Sequence, residues 1–501
     1  MNSIIYENEI ILYWVLPDGF RQGDTYCLYV DGKQEKTSDK THFRLEKLKE
    51  DTGYSIRVEW VDKDGNLKGI LEDNTYTTNS KKRRIDVSKE PYLAKGDGKT
   101  LVTDAIQKAI DDCGDGECVY FPEGTYLTGS LNLHSNMEIY LEKGAVIKGS
   151  VNAEDYLPKR ASRFEGYEMM CYSSLINMGE MDHTKGYNCK NVVIRGEGSI
   201  SGGGKELREN ILSVERERLK EYMESLGDEI KTYENLDTIP GRTRPRLVNI
   251  SNCQNVVISN ITMEYGPAWN VHMIYSDNVV THGCTIRSKG VSNGDGWNPD
   301  SSTNCTIFAT RFDTGDDMIA IKSGKNPEGD KIARPSENIN IFDCTGIGNS
   351  CAIGSEMSGG VLGVHIWDCD FKDVLGGLTI KATPERGGYI KNVKMENCVI
   401  SSIRVYSKVG YNNDGEASPN IPVFENFEFN NLTIRGIYGD CVTREYKNGT
   451  AIYLSGFEKK GHKLKNVSFK NIYLPKHDDG SEQFIRMVAC EGLSFENIVC
   501  E

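Results

Sequence analysis

Asn255-Val-Val-Ile258, Asn278-Val-Val280, Asn304-Cys-Thr-Ile307 and Asn338-Ile-Asn-Ile341 repeat one phrase, an asparagine followed by alternating β-branched residues. The phrase occurs earlier as Asn191-Val-Val-Ile194 and returns as Asn392-Val-Lys394, Asn426-Phe-Glu-Phe429 and Asn466-Val-Ser-Phe469. The steps cluster around the low-to-mid twenties, with longer ones where loops intrude, and a period of that size marks a repeat architecture. Short strands with almost no intervening helix predict an all-β fold, a right-handed parallel β-helix whose rungs stack at ~4.8 Å. The recurring Asn is placed to stack as a ladder at the corners.

Ahead of the repeats, Thr103–Asp112 (TDAIQKAIDD) reads as an amphipathic helix with Ala105, Ile106 and Ile110 on one face, suited to plugging the open end of a solenoid. The solenoid is expected over residues 85–501. Within it, the charged, helix-favouring stretch at about 205–235 is an insertion between rungs, either a lid near a cleft or a decorated loop. Residues 1–80 read differently. Ile10-Leu12-Trp14, Tyr26-Leu28-Val30, Phe43-Leu45 and Tyr54-Ile56-Val58 alternate apolar and polar residues, with turns at Asp31-Gly32 and Asp64-Gly65. This is a small antiparallel β-sandwich, and its pattern resembles a fibronectin type III module. Lys81-Lys82-Arg83-Arg84 is expected to be a solvated linker.

The totals narrow the function. With 501 residues, 26% of them charged and 38% apolar, the chain has room for one large core and a small appended domain. Its 51 glycines against 14 prolines suit many tight corners. A formal charge of −14 argues against nucleic acid as a partner, and no apolar run approaches the ~20 residues of a membrane span. An acidic sugar stays possible if basic residues gather in a cleft. The 15 cysteines lie singly in strand-like text, without paired zinc spacing, and are expected to be buried thiols. No cofactor or metal is expected. No secretory leader is seen at Met1, so the cytoplasm is the default compartment.

Chemistry concentrates between Asn293 and Gly388. Asn293-Gly-Asp-Gly296 is followed one rung later by Thr314-Gly-Asp-Asp317. Stacking would gather Asp295, Asp316 and Asp317 into one patch. Crowded carboxylates raise the pKa of at least one member, which can then serve as general acid while an ionised neighbour activates water. Residue types alone fit a metal-binding or turn-forming acidic cluster as well.

The strings NGDG, TGDDMIAIKSG, IGSEMSGG and IKATPERGG, in that order, resemble glycoside hydrolase family 28, the polygalacturonases. The resemblance runs over about residues 85–501. It implies an inverting hydrolase of α-1,4-linked galacturonic acid (pectin) oligosaccharides, with Asp316 as general acid and Asp295 and Asp317 positioning and deprotonating water. It also implies an acidic oligosaccharide as partner. SEMSGG, with Glu356, resembles the exo-acting bacterial branch, so Glu356 is expected to bind substrate. Asn293 opens the first motif and is expected beside the sugar. Lys322, Lys381 and Arg386 are candidates for uronate carboxylates, Trp269 for a sugar platform, and His272 for a hydrogen-bond donor at the cleft wall.

Two departures stand out. Where the family carries Gly-His-Gly, this chain reads Gly346-Ile-Gly-Asn-Ser-Cys351, without a His. The family's Arg-Ile-Lys reads Thr379-Ile-Lys381, and Thr cannot bind a uronate bidentately as Arg does. These differences admit another uronide or a rhamnogalacturonan-like substrate. A calcium-dependent lyase and a non-catalytic sugar-binding solenoid are the competing readings. Cys351 lies close by without a His or Asn partner for nucleophilic chemistry.

Overall fold

The computed structural model describes residues 1–411, 414–440 and 443–501. The chain divides into two compact units, Met1–Arg84 with Gly116–Cys118, and Ile85–Asp115 with Val119–Glu501.

The smaller unit is a β-sandwich. A three-stranded antiparallel sheet (Asn2–Ile5, Glu9–Tyr13, His42–Glu46) and a four-stranded one (Thr25–Val30, Lys33–Ser38, Gly53–Val61, Leu67–Thr77) enclose Ile10, Leu12, Trp14, Tyr26, Leu28, Phe43, Leu45, Ile56 and Val58. The turn at Asp31-Gly32 has positive φ at both residues, the geometry that a tight hairpin requires. The basic run is not all linker: Arg83–Asp86 forms a strand and Arg83 pairs with Glu117.

The larger unit is a right-handed parallel β-helix. One face is a parallel sheet of eleven strands among the described residues, from Leu131–Leu133 to Phe484–Val488. Its middle rungs are Val271–Ile274, Trp297–Asp300, Ile319–Ile321, Cys351–Ile353 and Leu378–Lys381. Side chains alternate inward and outward with the strand period of two. Val271, Met273, Trp297, Ile319, Ile321, Cys351, Ile353, Leu378 and Ile380 enter the continuous core. The intervening column, His272, Asn298, Ala320, Ala352 and Thr379, lies on the outer face. Helix Thr103–Asp111 contributes Ile106, Ala109 and Ile110 to the core.

The asparagines of the repeat do stack. Asn191, Asn255, Asn278, Asn304 and Asn338 all have φ between 52° and 59°, a left-handed conformation that Asn tolerates better than other residues carrying a Cβ. Asn278 donates from Nδ2 to Asn255 Oδ1 at 2.9 Å, and Asn255 to Asn191 at 3.0 Å. Where the column lacks Asn, Gly363 takes the same conformation at φ 70°. The described cysteines are free thiols, and all but Cys490 and Cys500 are buried.

The insertion is helical. Gly204–Arg218 buries Leu207, Ile211 and Leu212. Its Glu215, with no exposed side-chain surface, accepts from Lys159 at 2.7 Å, Arg218 at 2.6 Å and Tyr172 at 3.0 Å. A buried carboxylate is tolerable only with such pairing.

The ladder supplies a stability prediction. Asn278→Ala places a Cβ-bearing residue that cannot hydrogen-bond at φ 52° and is expected to cost about 1–2 kcal/mol. Asn278→Gly, which keeps the backbone relaxed and loses only the exposed hydrogen bond, is expected to cost less. Urea-unfolding midpoints of the two variants check the order.

Candidate active site

The three predicted carboxylates line one cavity of about 280 Å³. Asp295 sits two residues ahead of Trp297, and Asp317 two ahead of Ile319, so both enter the same sheet on adjacent rungs. The rungs are held together there by Gly296 N to Asp317 O at 2.9 Å and Trp297 N to Met318 O at 3.0 Å. Glycine at 296 is a packing requirement, since a Cβ would stand 2.4 Å from the Met318 carbonyl oxygen. The glycines of the two motifs therefore let neighbouring segments close up.

Cations enter from the other end of the same strands. Lys322 follows Ile319–Ile321, and Lys381 closes Leu378–Lys381. With strands this short and the outer column so small (Ala320, Ala352, Thr379), both ammoniums turn back over the sheet. Lys322 Nζ lies 3.5 Å from Asp295 and 3.3 Å from Glu356, and Lys381 Nζ lies 3.1 Å from Asp317 Oδ2. The other oxygen of Asp317 accepts from Asn349 Nδ2 at 3.3 Å and from Ser350 Oγ. These two residues come from the segment that lacks the motif His. Sequence reading registered the loss and missed the donors, although two side-chain donors immediately ahead of a strand were a visible signal.

Four carboxylates (Asp295, Asp316, Asp317, Glu356) thus face two ammoniums, and protonation states are set by that imbalance. Burial pushes Asp295 well up, reinforced by Asp316 and Asp317 and opposed by Lys322. Burial and the adjacent Asp317 lift Asp316 to about 6, against the pull of Lys381 and Lys322. Burial would raise Glu356 too, but Lys322 and Arg386 outweigh it and hold it at about 2, as a permanent anion. The lysines shift upward: their carboxylate partners, Glu356 first for Lys322 and Asp317 first for Lys381, outweigh the cost of burial.

Of the remaining predicted contacts, Asn293 lines the cavity and accepts from Arg244 Nη2 at 2.7 Å. Arg386 lines it too, bonded to Ser355 O, Asn326 Oδ1 and Asp414. Two expectations need correction. His272 is fully buried outside the cavity lining, with Nε2 3.1 Å from Asp300 Oδ2, and burial lowers it to about 4, so it is a neutral structural residue. Trp269 borders the cavity but is 3% exposed, and Phe164 (5.2 Å, stacked), Arg246 (4.5 Å) and Lys322 (4.4 Å) already contact its ring, leaving no face for a sugar. The cause in both cases is the hairpin Arg160–Phe164/Tyr167–Cys171, which packs over this part of the sheet. Its Arg163 bonds Asp300 Oδ1 at 2.5 Å, and its Phe164 stacks on the indole. Cys351 faces the core, where burial raises its thiol, so it is no nucleophile.

Three segments outside the regular rungs wall the cavity: the hairpin turn (Glu165), the end of the insertion (Glu234, Thr238, Arg242), and the stretch bearing Tyr411 and Asp414. Glu165 and Arg242 meet at 2.9 Å, joining the first two. Among the described residues no group of three His, Cys, Asp or Glu side chains is arranged to hold a metal ion.

The model of Glycosyl hydrolases family 28 matches residues 122–491. The exo-poly-alpha-D-galacturonosidase of Dickeya chrysanthemi is 28% identical over 453 residues, covering 85% of this chain and 74% of that protein. A probable polygalacturonase of Vitis vinifera is 29% identical over 393 residues, covering 73% of this chain and 74% of that protein. The family 28 exopolygalacturonase structure from Yersinia enterocolitica shares the fold over 99% of this chain and 98% of its own, with a TM-score of 0.79 at 22% identity. With three stacked aspartates in one cavity of a parallel β-helix, and a family match across most of the chain, the protein belongs to glycosyl hydrolase family 28 and is a glycosidase.

Proposed function

We propose that the chain hydrolyses α-1,4-linked galacturonic acid oligosaccharides, that it acts from a chain end, and that it inverts the anomeric centre. The observation that carries the reading is the convergence of Asp295, Asp316 and Asp317 with Lys322 and Lys381 in a single cavity. Asp316, lifted to about 6, gives its proton to the glycosidic oxygen as the C–O bond breaks. Water attacks the anomeric carbon from the opposite face, oriented by Asp295 and Asp317, and its proton passes to this pair before returning to Asp316. Lys381, Asn349 and Ser350 fix Asp317 in place for that step. With Thr379 Oγ1 bonded to Gly376 O, the uronate carboxylate falls to the lysines in place of the missing arginine. Action from an end is supported by the walls described above, because a cavity flanked by three added segments, two of them joined by the Glu165–Arg242 pair, admits a terminus more readily than the middle of a polymer. The Dickeya relative is named for exo cleavage of a galacturonan, which agrees.

The direct test is digestion of di- and trigalacturonate beside rhamnogalacturonan oligosaccharides, with product mass and anomer followed by NMR. Short galacturonate products released from one end with inverted configuration are expected. An unsaturated product absorbing in the near ultraviolet, or cleavage of only the rhamnose-containing oligosaccharide, would overturn the reading. Asp316→Asn is expected to lower kcat by about 10²–10⁴-fold while still binding the oligosaccharide.

The raised Asp316 also sets pH behaviour. Its acid form prevails below about 6, so kcat/KM is expected to fall as pH rises through that value. Folding disfavours its ionised form, so the wild type loses stability as pH rises from about 4 toward 6. Asp316→Asn escapes that loss and is expected to melt above the wild type at pH 7, the difference vanishing below pH ~4. Melting curves at both pH values check the sign.

A further inference from the structure

The cavity holds a second pair of cations, apart from the lysines that face the catalytic aspartates. Lys325 is 5% exposed and Arg386 1% exposed, and both line the cavity. Their common carboxylate partner is Asp414, 2.6 Å from Lys325 Nζ and 3.3 Å from Arg386 Nη2. Glu356, which also feels Arg386, lies within reach of Lys322 instead. Two nearly buried cations therefore share one close carboxylate. A guanidinium and an ammonium held beside one carboxylate leave hydrogen-bonding and charge capacity for an entering carboxylate.

The pair is also rigidly built. Arg386 is pinned through Nε to Ser355 O at 2.8 Å and through Nη1 to Asn326 Oδ1 at 2.7 Å, with its guanidinium 5.4 Å from the Tyr411 ring. Asn326 Nδ2 in turn donates to Asp414 O at 2.6 Å. Lys325 is anchored by its backbone N–H to Gly166 O at 3.0 Å, and its ammonium stands 5.3 Å from the Tyr167 ring. An ammonium has three donors, and Asp414 takes one of them. Cations preset in this way, on the start of helix Asn326–Ile332, the hairpin and the Asp414 stretch, recognise an anion without paying to be ordered.

We propose that Lys325, supported by Arg386, is a second carboxylate-binding position, which reads the free carboxylate of the uronate adjoining the one gripped by Lys322 and Lys381. This rests on the galacturonide reading above and extends it: the enzyme requires two neighbouring unesterified sugars, and Lys325 makes the second requirement. A methyl ester at that sugar removes the charge and leaves Lys325 facing an oxygen that cannot neutralise it.

The test crosses enzyme with substrate. Wild type, Lys325→Met and Lys325→Arg are assayed on trigalacturonate and on trigalacturonates methyl-esterified at one defined residue. For wild type, esterification at one particular residue is expected to lower kcat/KM by about 10–100-fold. In Lys325→Met the fully acidic substrate suffers a comparable loss and the ester penalty at that residue shrinks to within about threefold, while penalties at the other residues persist. Lys325→Arg keeps the penalty. Should Lys325→Met be too slow to assay, calorimetric binding of the same substrates to Asp316→Asn with and without Lys325→Gln gives the same cross-comparison. Identical ester penalties with and without the lysine overturn the proposal and leave the galacturonide reading standing. Failure of the wild type to act on any galacturonide overturns both.

Discussion

Everything in the active site depends on the hydrogen-bonded register between successive rungs. Parallel pairing brings Gly296 N onto Asp317 O and Trp297 N onto Met318 O, and residues a full turn apart in the chain become neighbours at strand spacing. That closeness holds because Gly296 has no Cβ to drive the rungs apart, and because inward residues such as Trp297 and Ile319 fill the core beneath. The register also decides what reaches the cavity. The three aspartates stand where the strands begin, the lysines and Glu356 where they end, and the small outer residues between them let the two sets meet. A slip of one residue would turn every outward side chain into the core, so a site assembled in this way is tied to the stability of the solenoid itself.

Charge balance is the second organising constraint. Carboxylates placed side by side and away from water resist ionisation, and Lys322 and Lys381 limit that resistance without cancelling it. The result is a differentiated set: Glu356 permanently ionised, Asp316 near the midpoint of its titration in mildly acid solution, and Asp295 also raised by burial. Such divergence among like groups comes from burial opposed to different degrees by nearby cations, Lys322 and Arg386 at Glu356, Lys322 and Lys381 at the aspartates, rather than from residue type.

The segments that interrupt the repeat add walls to the cavity. Their anchoring relies on buried ion pairs, Arg163 with Asp300 and Glu215 with Lys159 and Arg218, which stabilise only in their completed form. The same anchoring explains why His272 and Trp269, outward-facing in the bare solenoid, are lost to the substrate: the hairpin spends them as its seat.

The solenoid, its Asn corners and the gathering of Asp295, Asp316 and Asp317 in one cavity were legible from the chain, because each follows from a local pattern carried rung to rung. Asn at a left-handed corner, alternating residues in a strand and a glycine where rungs touch need no knowledge of the distant chain. The family strings then supplied roles for Asp295, Asp316 and Asp317. The contacts of Asn349 and Ser350, the burial of His272, the pairing of Lys325 and Arg386 through Asp414, and the pairing of Glu165 with Arg242 at the cavity wall were not legible. These join segments outside the repeat period, whose positions follow from packing and charge neutralisation between parts of the chain that share no pattern.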